Sequence, residues 1–289
     1  MPSLEDLLSM LLPSVKEVGQ LVMAESARKV TEKGKSDLVT EADRKCERFL
    51  REVLGKICPE DGVVGEEEEG PQGFDKKRVW YIDPIDGTTN FAHGLPLFCI
   101  SLGLVERDGS KERPLLGVVY APALDCLYFG GAGLGAYCET KGSRKKLEVS
   151  SVSTIERALL ASGFPSAKLR RKMAQGEKEP WAASQKERLW RLDAMGHGVR
   201  RLGVAALEIC WVAEGRFDAF WDFGLRPWDV AGATAILNEA GGKATDVDGG
   251  ELDLHNARYL ASNGKLHSAL VEAMREGLDE GVPLLSKEA

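Results

Sequence analysis

The spacing of apolar residues changes along this chain, and the change limits the folds that it can adopt. Up to about residue 57 they recur at helical spacing, which predicts two helices, the first broken or kinked at Pro13. Between residues 79 and 138, short apolar runs separated by glycine-rich turns predict an antiparallel sheet. Farther on, helical and strand-like segments alternate. We therefore expect helices on an antiparallel sheet over residues 1–150 and a layered α/β half over residues 151–289.

Charge and composition argue against several classes of function. The 289 residues carry a formal net charge of -7 and contain no long run of Lys and Arg, which argues against a nucleic-acid binder. No run of about 18 apolar residues predicts a membrane span. The segment from Met1 to Met10 lacks the basic start of a secretory signal, so we expect a cytoplasmic protein. Six cysteines without a CxxC pair predict reduced thiols rather than a zinc site.

Two carboxylates follow a short predicted strand, and they suggest a metal site. The strand Val79–Ile82 leads directly into Asp83, and Asp86 follows beyond Pro84, whose fixed φ stiffens the turn. Two carboxylates held close together raise each other's pKa unless a cation neutralises them. Mg2+ is the natural partner for oxygen ligands of this kind. The alternative is a capping role, in which Asp86 caps a helix that starts at Gly87.

Three further segments could complete a site for a phosphate ester. Gly87-Thr88-Thr89 would offer backbone N–H groups and hydroxyls at the start of a helix, where anions bind. Glu66 is the first carboxylate after the apolar strand Gly62–Val64, although its acidic surroundings also suit a solvated loop. Asp229 lies at the start of an apolar helix, where its alternative role is to offset the helix dipole. Metal-binding carboxylates beside N–H donors are what phosphate-ester chemistry requires.

Two segments resemble the signatures of a known family. Residues 83–91, DPIDGTTNF, resemble the first signature of the inositol monophosphatase family, and residues 228–233, WDVAGA, followed by Glu239-Ala240-Gly241-Gly242, resemble the second. The resemblance extends from about Asp37 to Asn263. It implies an α+β fold, a layered α-β-α-β-α sandwich of the sugar-phosphatase type. It also implies a lithium-sensitive phosphatase that holds two or three Mg2+ ions per site and forms a homodimer.

The resemblance also implies roles for individual residues. The implied metal ligands are Glu66, Asp83, the Ile85 carbonyl, Asp86 and Asp229. The implied catalytic residues are Glu66 and Thr88, which orient a metal-activated water, and Asp43, which supports the threonine. The positions implied for substrate binding are Ile85, Asp86, Gly87, Thr88, Gly203, Val204, Ala205, Asp222 and Asp229. Of these, the N–H groups of Gly87 and Thr88 would meet the phosphate, and residues 203–205 and 222 would meet the hydroxyl-bearing part.

The resemblance predicts hydrolysis of a small phosphate monoester, with inositol monophosphate as the first choice. Asp222 is one methylene shorter than the glutamate common in inositol-specific members, so fructose 1,6-bisphosphate, other sugar or polyol phosphates, histidinol phosphate and nucleotide-type substrates stay open. The other class of function is a regulatory partner protein that keeps the fold, because Gly224–Trp228 resembles family members that bind the transcription machinery. We expect no direct contact with nucleic acid or membrane.

Overall fold

Helices and strands occupy most of the chain that the structure describes. The computed structural model describes residues 2–25, 30–34, 37–67, 73, 75–109, 111–163, 180–255 and 258–275. The helices are α1 (Leu4–Ala24), α2 (Glu41–Ile57), α3 (Thr88–Ala92), α4 (Pro180–Met195), α5 (Ala205–Ala213), α6 (Pro227–Glu239) and α7 (His267–Arg275). The strands are β1 (Val30–Gly34), β2 (Asp37–Thr40), β3 (Gly62–Gly65), β4 (Arg78–Asp86), β5 (Cys99–Asp108), β6 (Lys111–Ala121), β7 (Cys126–Gly131), β8 (Gly135–Thr140), β9 (Ser143–Lys146), β10 (Leu160–Ser162), β11 (Val199–Arg200), β12 (Ala219–Phe223), β13 (Lys243–Thr245) and β14 (Arg258–Ser262).

Two sheets and one separate hairpin contain these strands. Seven strands form the large sheet in the order β3-β4-β5-β6-β7-β8-β9, and five form the small sheet in the order β11-β10-β12-β14-β13. The antiparallel sheet expected between residues 79 and 138 is confirmed for β4 to β8, whereas β3 joins the edge in parallel to β4. In the small sheet, β12 pairs in parallel with β10 and antiparallel with β14. The hairpin consists of β1 and β2.

Buried apolar clusters define five layers. On one face of the large sheet, α1 and α2 share a cluster in which Leu50 and Trp80 are fully buried. Between the two sheets lie α5 and α6, whose cluster includes Ile236. On the outer face of the small sheet, α4 and α7 share a cluster that includes Trp221 and Leu270. This order confirms the expected α+β fold, layered α-β-α-β-α.

The first helix, α1, is continuous from Leu4 to Ala24, so the expected break at Pro13 is wrong, while the alternative of a kink there stays a prediction. Ser3 and Asp6 form a capping box at its start. Proline removes one backbone hydrogen bond, but Pro13 is exposed, and burial of the opposite stripe holds the helix together. The buried stripe consists of Leu7, Leu8, Leu11, Val15, Val18, Gly19 and Val22. By length and hydropathy α1 could also cross a membrane, but this stripe packs into the core.

Glycines let α6 lie directly on the large sheet. Gly103 of β5 and Gly117 of β6 are cross-strand partners, and Gly232 of α6 rests on them. A Cβ atom at Gly117 would lie 1.9 Å from the Gly232 carbonyl oxygen, and one at Gly232 would lie 2.3 Å from the Leu102 carbonyl oxygen. Backbone therefore touches backbone at these three glycines, which we call the glycine seam. The seam brings the start of α6, which carries Asp229, close to β4.

A partly buried polar network links the large sheet to the segment before β14. The Tyr81 hydroxyl donates to both carboxylate oxygens of Glu112, at 2.9 and 3.0 Å, and Nε2 of His255 lies 3.2 Å from Oε2 of the same carboxylate. Nε of Arg107 lies 3.0 Å from Oε1 of Glu112. The hydrogen bond with Glu112 raises the pKa of His255. Burial acts to raise the pKa of Glu112, but the hydrogen bonds with His255 and Tyr81 and the charges of His255 and Arg107 together lower it.

We expect His255→Gln to flatten the pH dependence of stability above pH 6.5. Because the folded-state pKa of His255 lies above its ordinary value of 6.5, its contribution to stability is fully present below pH 6.5 and is lost as the pH rises through the folded pKa. Urea unfolding between about pH 6 and pH 9 should show a steeper fall of the unfolding free energy for wild type than for the variant. His197→Gln, at an exposed position, should keep the wild-type slope. Equal slopes for wild type and His255→Gln would contradict this expectation.

Candidate active site

The end of β4 carries two acidic residues around an irregularity in strand pairing. Asp83 and Asp86 both pair with β5, but the register shifts between them. Pro84 lies in this interval and has no N–H group for a ladder hydrogen bond, which accounts for the shift. The strand therefore extends to Asp86, beyond the expected end at residue 82. Asp83 is buried, and its Oδ1 accepts a hydrogen bond from the Ile85 N–H at 3.1 Å.

A glycine turn joins β4 to α3. Gly87 has a φ of 90°, which glycine adopts without strain, and it is the N-cap residue of α3. No side chain among the described residues caps this helix, so the capping role considered for Asp86 is wrong. Oγ1 of Thr88 donates to the Ile85 carbonyl at 2.9 Å and lies 3.5 Å from Oδ1 of Asp43. The threonine hydroxyl thus lies between the end of β4 and the start of α2.

Asp86 connects the large sheet to the start of α5. Its Oδ2 accepts a hydrogen bond from the Ala206 N–H at 2.6 Å, and the Ala205 N–H also faces the carboxylate. Burial raises the pKa of Asp86 well above its usual range, and the nearby Asp229 raises it further. Two segments expected in the site, the strand end and the loop before α5, therefore come together at this carboxylate.

Five carboxylates interact around the end of β4. They are Asp43, Glu66, Asp83, Asp86 and Asp229, which we call the acid cluster. Burial raises the pKa of Asp83 well above its usual range, and the other four carboxylates raise it further, Glu66 most. Asp229 accepts a hydrogen bond from the Arg226 N–H at 2.7 Å and shares one with Asp83. Burial raises the pKa of Asp229 to about 6, against the effect of these hydrogen bonds.

A buried glutamate that sequence reasoning missed supports the segment with Glu66. Glu66 directly follows β3, and its N–H donates to the Ile82 carbonyl at 3.3 Å. Glu47 of α2 is fully buried, and its Oε2 accepts a hydrogen bond from the Glu67 N–H at 2.8 Å. A Cβ atom at Gly65 would lie 2.1 Å from Oε1 of Glu47, so glycine at this position makes room for the carboxylate. In the sequence, the one available signal is its spacing, because Glu47 lies three residues before Leu50 and seven before Leu54, on the apolar stripe of the helix.

Two more polar side chains that sequence reasoning missed hold the loop before α5. Asn90 donates from Nδ2 to the Leu202 carbonyl at 2.9 Å. Glu208 is buried in α5 and accepts hydrogen bonds from the Leu202 and Val204 N–H groups at 3.1 and 3.2 Å. Burial raises the pKa of Glu208 to about 7. The expected substrate-binding loop, residues 203–205, is therefore fixed by side chains from two different helices.

Asp222 lies on β12, and its side chain packs against the backbone of the small sheet. Its Oδ1 accepts a hydrogen bond from the Phe223 N–H at 2.6 Å, and a Cβ atom at Gly163 would lie 1.6 Å from its Oδ2. The residue is 8% exposed. Burial raises the pKa of Asp222 well above its usual range, and the charges of Glu208 and Asp229 add to the rise. Asp222 is thus electrostatically coupled to both the loop and the acid cluster.

The acid cluster suits a hard cation by its chemistry. It offers carboxylate oxygens, the donors that Mg2+ prefers, and a cation would relieve the repulsion that raises the pKa values of Asp83 and Asp86. Within the described ranges, no group of three or more His, Cys, Asp or Glu side chains is arranged so that it could hold a metal ion. The carboxylates are turned to N–H donors, such as Ile85 and Ala206. The oxygen donors are thus of the type that Mg2+ prefers, although their side chains are not arranged as a set of ligands.

Comparison with known proteins places these features in a family. The model of the Inositol monophosphatase family matches residues 3–279. The inositol-1-monophosphatase of Caulobacter vibrioides is 40% identical over 249 residues, which cover 85% of this chain and 90% of that protein. The fructose-1,6-bisphosphatase/inositol-1-monophosphatase of Aquifex aeolicus is 35% identical over 253 residues, 88% of each. The crystal structure of extragenic suppressor protein suhB from Bartonella henselae matches with a TM-score of 0.82 and 31% identity over 94% of this chain and 99% of that one.

The matches cover nearly the whole chain rather than a single motif. The structural match extends over both sheets, which supports the layered α+β fold. The family match and the related phosphatases show that the chain is a hydrolase of phosphate monoesters. This chain belongs to the inositol monophosphatase family.

Proposed function

We propose that this protein hydrolyses phosphate monoesters of small polyols, with inositol monophosphate as the first substrate, and that it requires Mg2+. The observation that carries the proposal is the acid cluster at the end of β4, next to the turn at Gly87. The substrate class is supported by the names of two relatives, an inositol-1-monophosphatase and a fructose-1,6-bisphosphatase/inositol-1-monophosphatase.

The proposed metal ligands belong to the acid cluster and the adjoining strand end. They are Glu66, Asp83, Asp86, Asp229 and the Ile85 carbonyl. Bound Mg2+ would supply positive charge that makes a water easier to deprotonate and stabilises the leaving alkoxide. Asp83 is buried and the other three carboxylates are half-buried, so electrostatic interactions at the site are stronger than in water.

The remaining roles fall to polar groups around the turn. The Thr88 hydroxyl donates to the Ile85 carbonyl and lies near Asp43, which leaves its oxygen free to accept a hydrogen bond from the attacking water. Glu66 orients the same water and takes up its proton. The N–H groups of Gly87 and Thr88 bind the phosphoryl oxygens, as turn N–H groups do in other anion sites. The loop at residues 203–205 and Asp222 face the alcohol part of the substrate.

The position of Asp222 favours a second substrate. Its short side chain lies back against Gly163, which leaves more room on the alcohol side than a glutamate at 222 would leave. Such room suits a larger alcohol part, and the Aquifex aeolicus relative is named for a bisphosphatase as well. We therefore include fructose 1,6-bisphosphate in the proposal. The regulatory role, the homodimer and the lithium sensitivity stay predictions from the resemblance.

A phosphate-release assay tests the proposed function. We expect Mg2+-dependent release from inositol 1-phosphate, weaker release from fructose 1,6-bisphosphate, and loss of both when the metal is removed by a chelator and regained when Mg2+ is added back. Histidinol phosphate and a nucleoside monophosphate complete the panel, and added Li+ should inhibit. Release that is unaffected by the chelator would contradict the metal requirement. The absence of release from every substrate with Mg2+ would favour the regulatory alternative.

A further inference from the structure

Glu208 is a buried carboxylate whose partners are backbone amides of one loop. It is 1% exposed and lies in the first turn of α5. Its Oε1 accepts a hydrogen bond from the Leu202 N–H at 3.1 Å, and its Oε2 accepts one from the Val204 N–H at 3.2 Å. The Gly203 N–H also faces this carboxylate. One side chain therefore sets the direction of three successive N–H groups.

The direction of these N–H groups determines where the loop carbonyls point. In a trans peptide group the N–H and the C=O point in opposite directions. The Leu202 carbonyl accordingly points away from Glu208 and accepts a hydrogen bond from Asn90 at 2.9 Å. By the same geometry, the Val204 N–H points inward and the Gly203 carbonyl points outward. Gly203 is exposed, with a φ of 74°, so its carbonyl is directed to the open side of the loop.

The loop lies beside the proposed phosphate site. A Cβ atom at Gly87 would lie 3.4 Å from Cβ of Val204, so the loop packs against the turn that we assign to the phosphate. The Ala206 N–H, two residues farther along, binds Asp86 at 2.6 Å. The outward Gly203 carbonyl is therefore close to the alcohol part of a bound phosphate ester. A carbonyl oxygen accepts hydrogen bonds and cannot donate them, so it selects a hydroxyl donor.

We propose that Glu208 is a positioning residue for substrate specificity, which holds the loop so that the Gly203 carbonyl accepts a hydrogen bond from a hydroxyl of the substrate. The inference rests on the proposed function and narrows its substrate class to phosphate monoesters with a free hydroxyl near the ester. It also explains why Glu208, which takes no part in the proposed reaction, is a buried carboxylate.

The test compares two substrates that differ in their hydroxyls, inositol 1-phosphate and cyclohexyl phosphate. The kcat/KM for inositol 1-phosphate divided by the kcat/KM for cyclohexyl phosphate measures recognition of the hydroxyls. Effects common to both substrates cancel in this ratio. We expect Glu208→Gln to lower this ratio at least about 10-fold, chiefly by raising KM for inositol 1-phosphate. Glutamine keeps one acceptor oxygen and places an NH2 donor against an N–H group, so it cannot accept from all three N–H groups. Glu208→Asp keeps the carboxylate and should recover part of the ratio.

A matched control lies just after the same helix. Glu214 accepts a hydrogen bond from the Tyr128 hydroxyl at 2.9 Å, and Glu214→Gln makes the same chemical change away from the loop. This variant should keep the wild-type ratio. A ratio that falls equally in Glu208→Gln and Glu214→Gln would overturn the proposal. If Glu208→Gln does not fold, Glu208→Asp carries the comparison and should shift the ratio in the same direction by a smaller factor.

Hydrogen exchange separates this inference from the proposed function. The amides of Leu202, Gly203 and Val204 should exchange at least about 10-fold faster in Glu208→Gln than in wild type, because their acceptor is weakened. Unchanged exchange would overturn the positioning role, and faster exchange with an unchanged substrate ratio would overturn the role in specificity. A wild type that is inactive on both substrates would overturn the proposed function, and the exchange rates would still decide whether Glu208 positions the loop.

Discussion

Asp86→Asn should abolish turnover while the protein stays folded, with kcat lower by more than about 100-fold. Loss of a residue that only supports a metal ligand already costs about 10- to 100-fold, and Asp86 is assigned as a ligand itself. Asparagine has nearly the same shape and keeps an oxygen for the Ala206 N–H, which donates to Asp86 at 2.6 Å. The charge is removed and the local backbone contacts are retained. Phosphate release under saturating Mg2+ measures the effect.

The same substitution should not lower stability in the absence of metal. The pKa of Asp86 is raised by burial and by Asp229, so this group lowers stability as the pH rises from the ordinary value of 3.8 to the folded-state pKa, and the loss persists above it. A neutral side chain removes that cost, and urea unfolding near neutral pH should show an equal or higher unfolding free energy. Asp108→Asn, an exposed change at the end of β5, is the matched control and should leave turnover unchanged. Wild-type turnover in Asp86→Asn would contradict the assignment of Asp86 as a metal ligand.

Gly232→Ala should lower both stability and activity, although it adds a single methyl group. The new Cβ would lie 2.3 Å from the Leu102 carbonyl oxygen, and backbone on both sides leaves no flexible side chain to move away. Overpacking of this kind costs about 1–3 kcal/mol of unfolding free energy. Relief requires α6 to move away from the sheet, which displaces Asp229 from the acid cluster. Since small displacements of catalytic groups are costly, we expect kcat/KM to fall at least about 10-fold.

Gly55→Ala is the matched control for this substitution. Gly55 lies within α2, and a Cβ atom there would meet nothing within 4 Å among the described residues. Alanine should therefore stabilise the helix by about 0.5–1 kcal/mol, the opposite sign from Gly232→Ala. Thermal unfolding and phosphate release on the two variants give the comparison. A Gly232→Ala variant with wild-type stability would show that the contact between α6 and the sheet can relax.

The fold was predictable where apolar residues recur at the regular spacing of a helix or a strand. The sheet from β4 to β8 followed from its apolar runs and glycine turns, and the alternation of helices and strands in the second half was also predicted. The short strands β9, β11 and β13 were not predicted, because two to four residues carry too little pattern. At Pro13, local propensity was overridden by burial of the opposite helix face.

The proposed site was predictable where the acidic residues follow a strand or begin a helix. Asp83, Asp86 and Asp229 stand out for this reason, and the structure brings all three together. Glu47 and Glu208 neither follow a strand nor begin a helix. Glu47 binds an N–H group 20 residues away, and Glu208 binds N–H groups four and six residues before it. Their only sequence signal is a charged residue at an apolar position of a helix. Such a position suggests a buried carboxylate, whereas its backbone partners are identified only from the folded structure.

The glycine seam also has a consequence for the order of folding. The acidic residues of the large-sheet half are close to one another in sequence, whereas Asp229 comes from a distant part of the chain. The seam brings Asp229 to them only when α6 docks on β5 and β6, so the full electrostatic repulsion develops at that step and not while the large sheet forms. A cation that neutralises the cluster would therefore act mainly on the docked state, by slowing the release of α6 rather than by speeding assembly of the sheet.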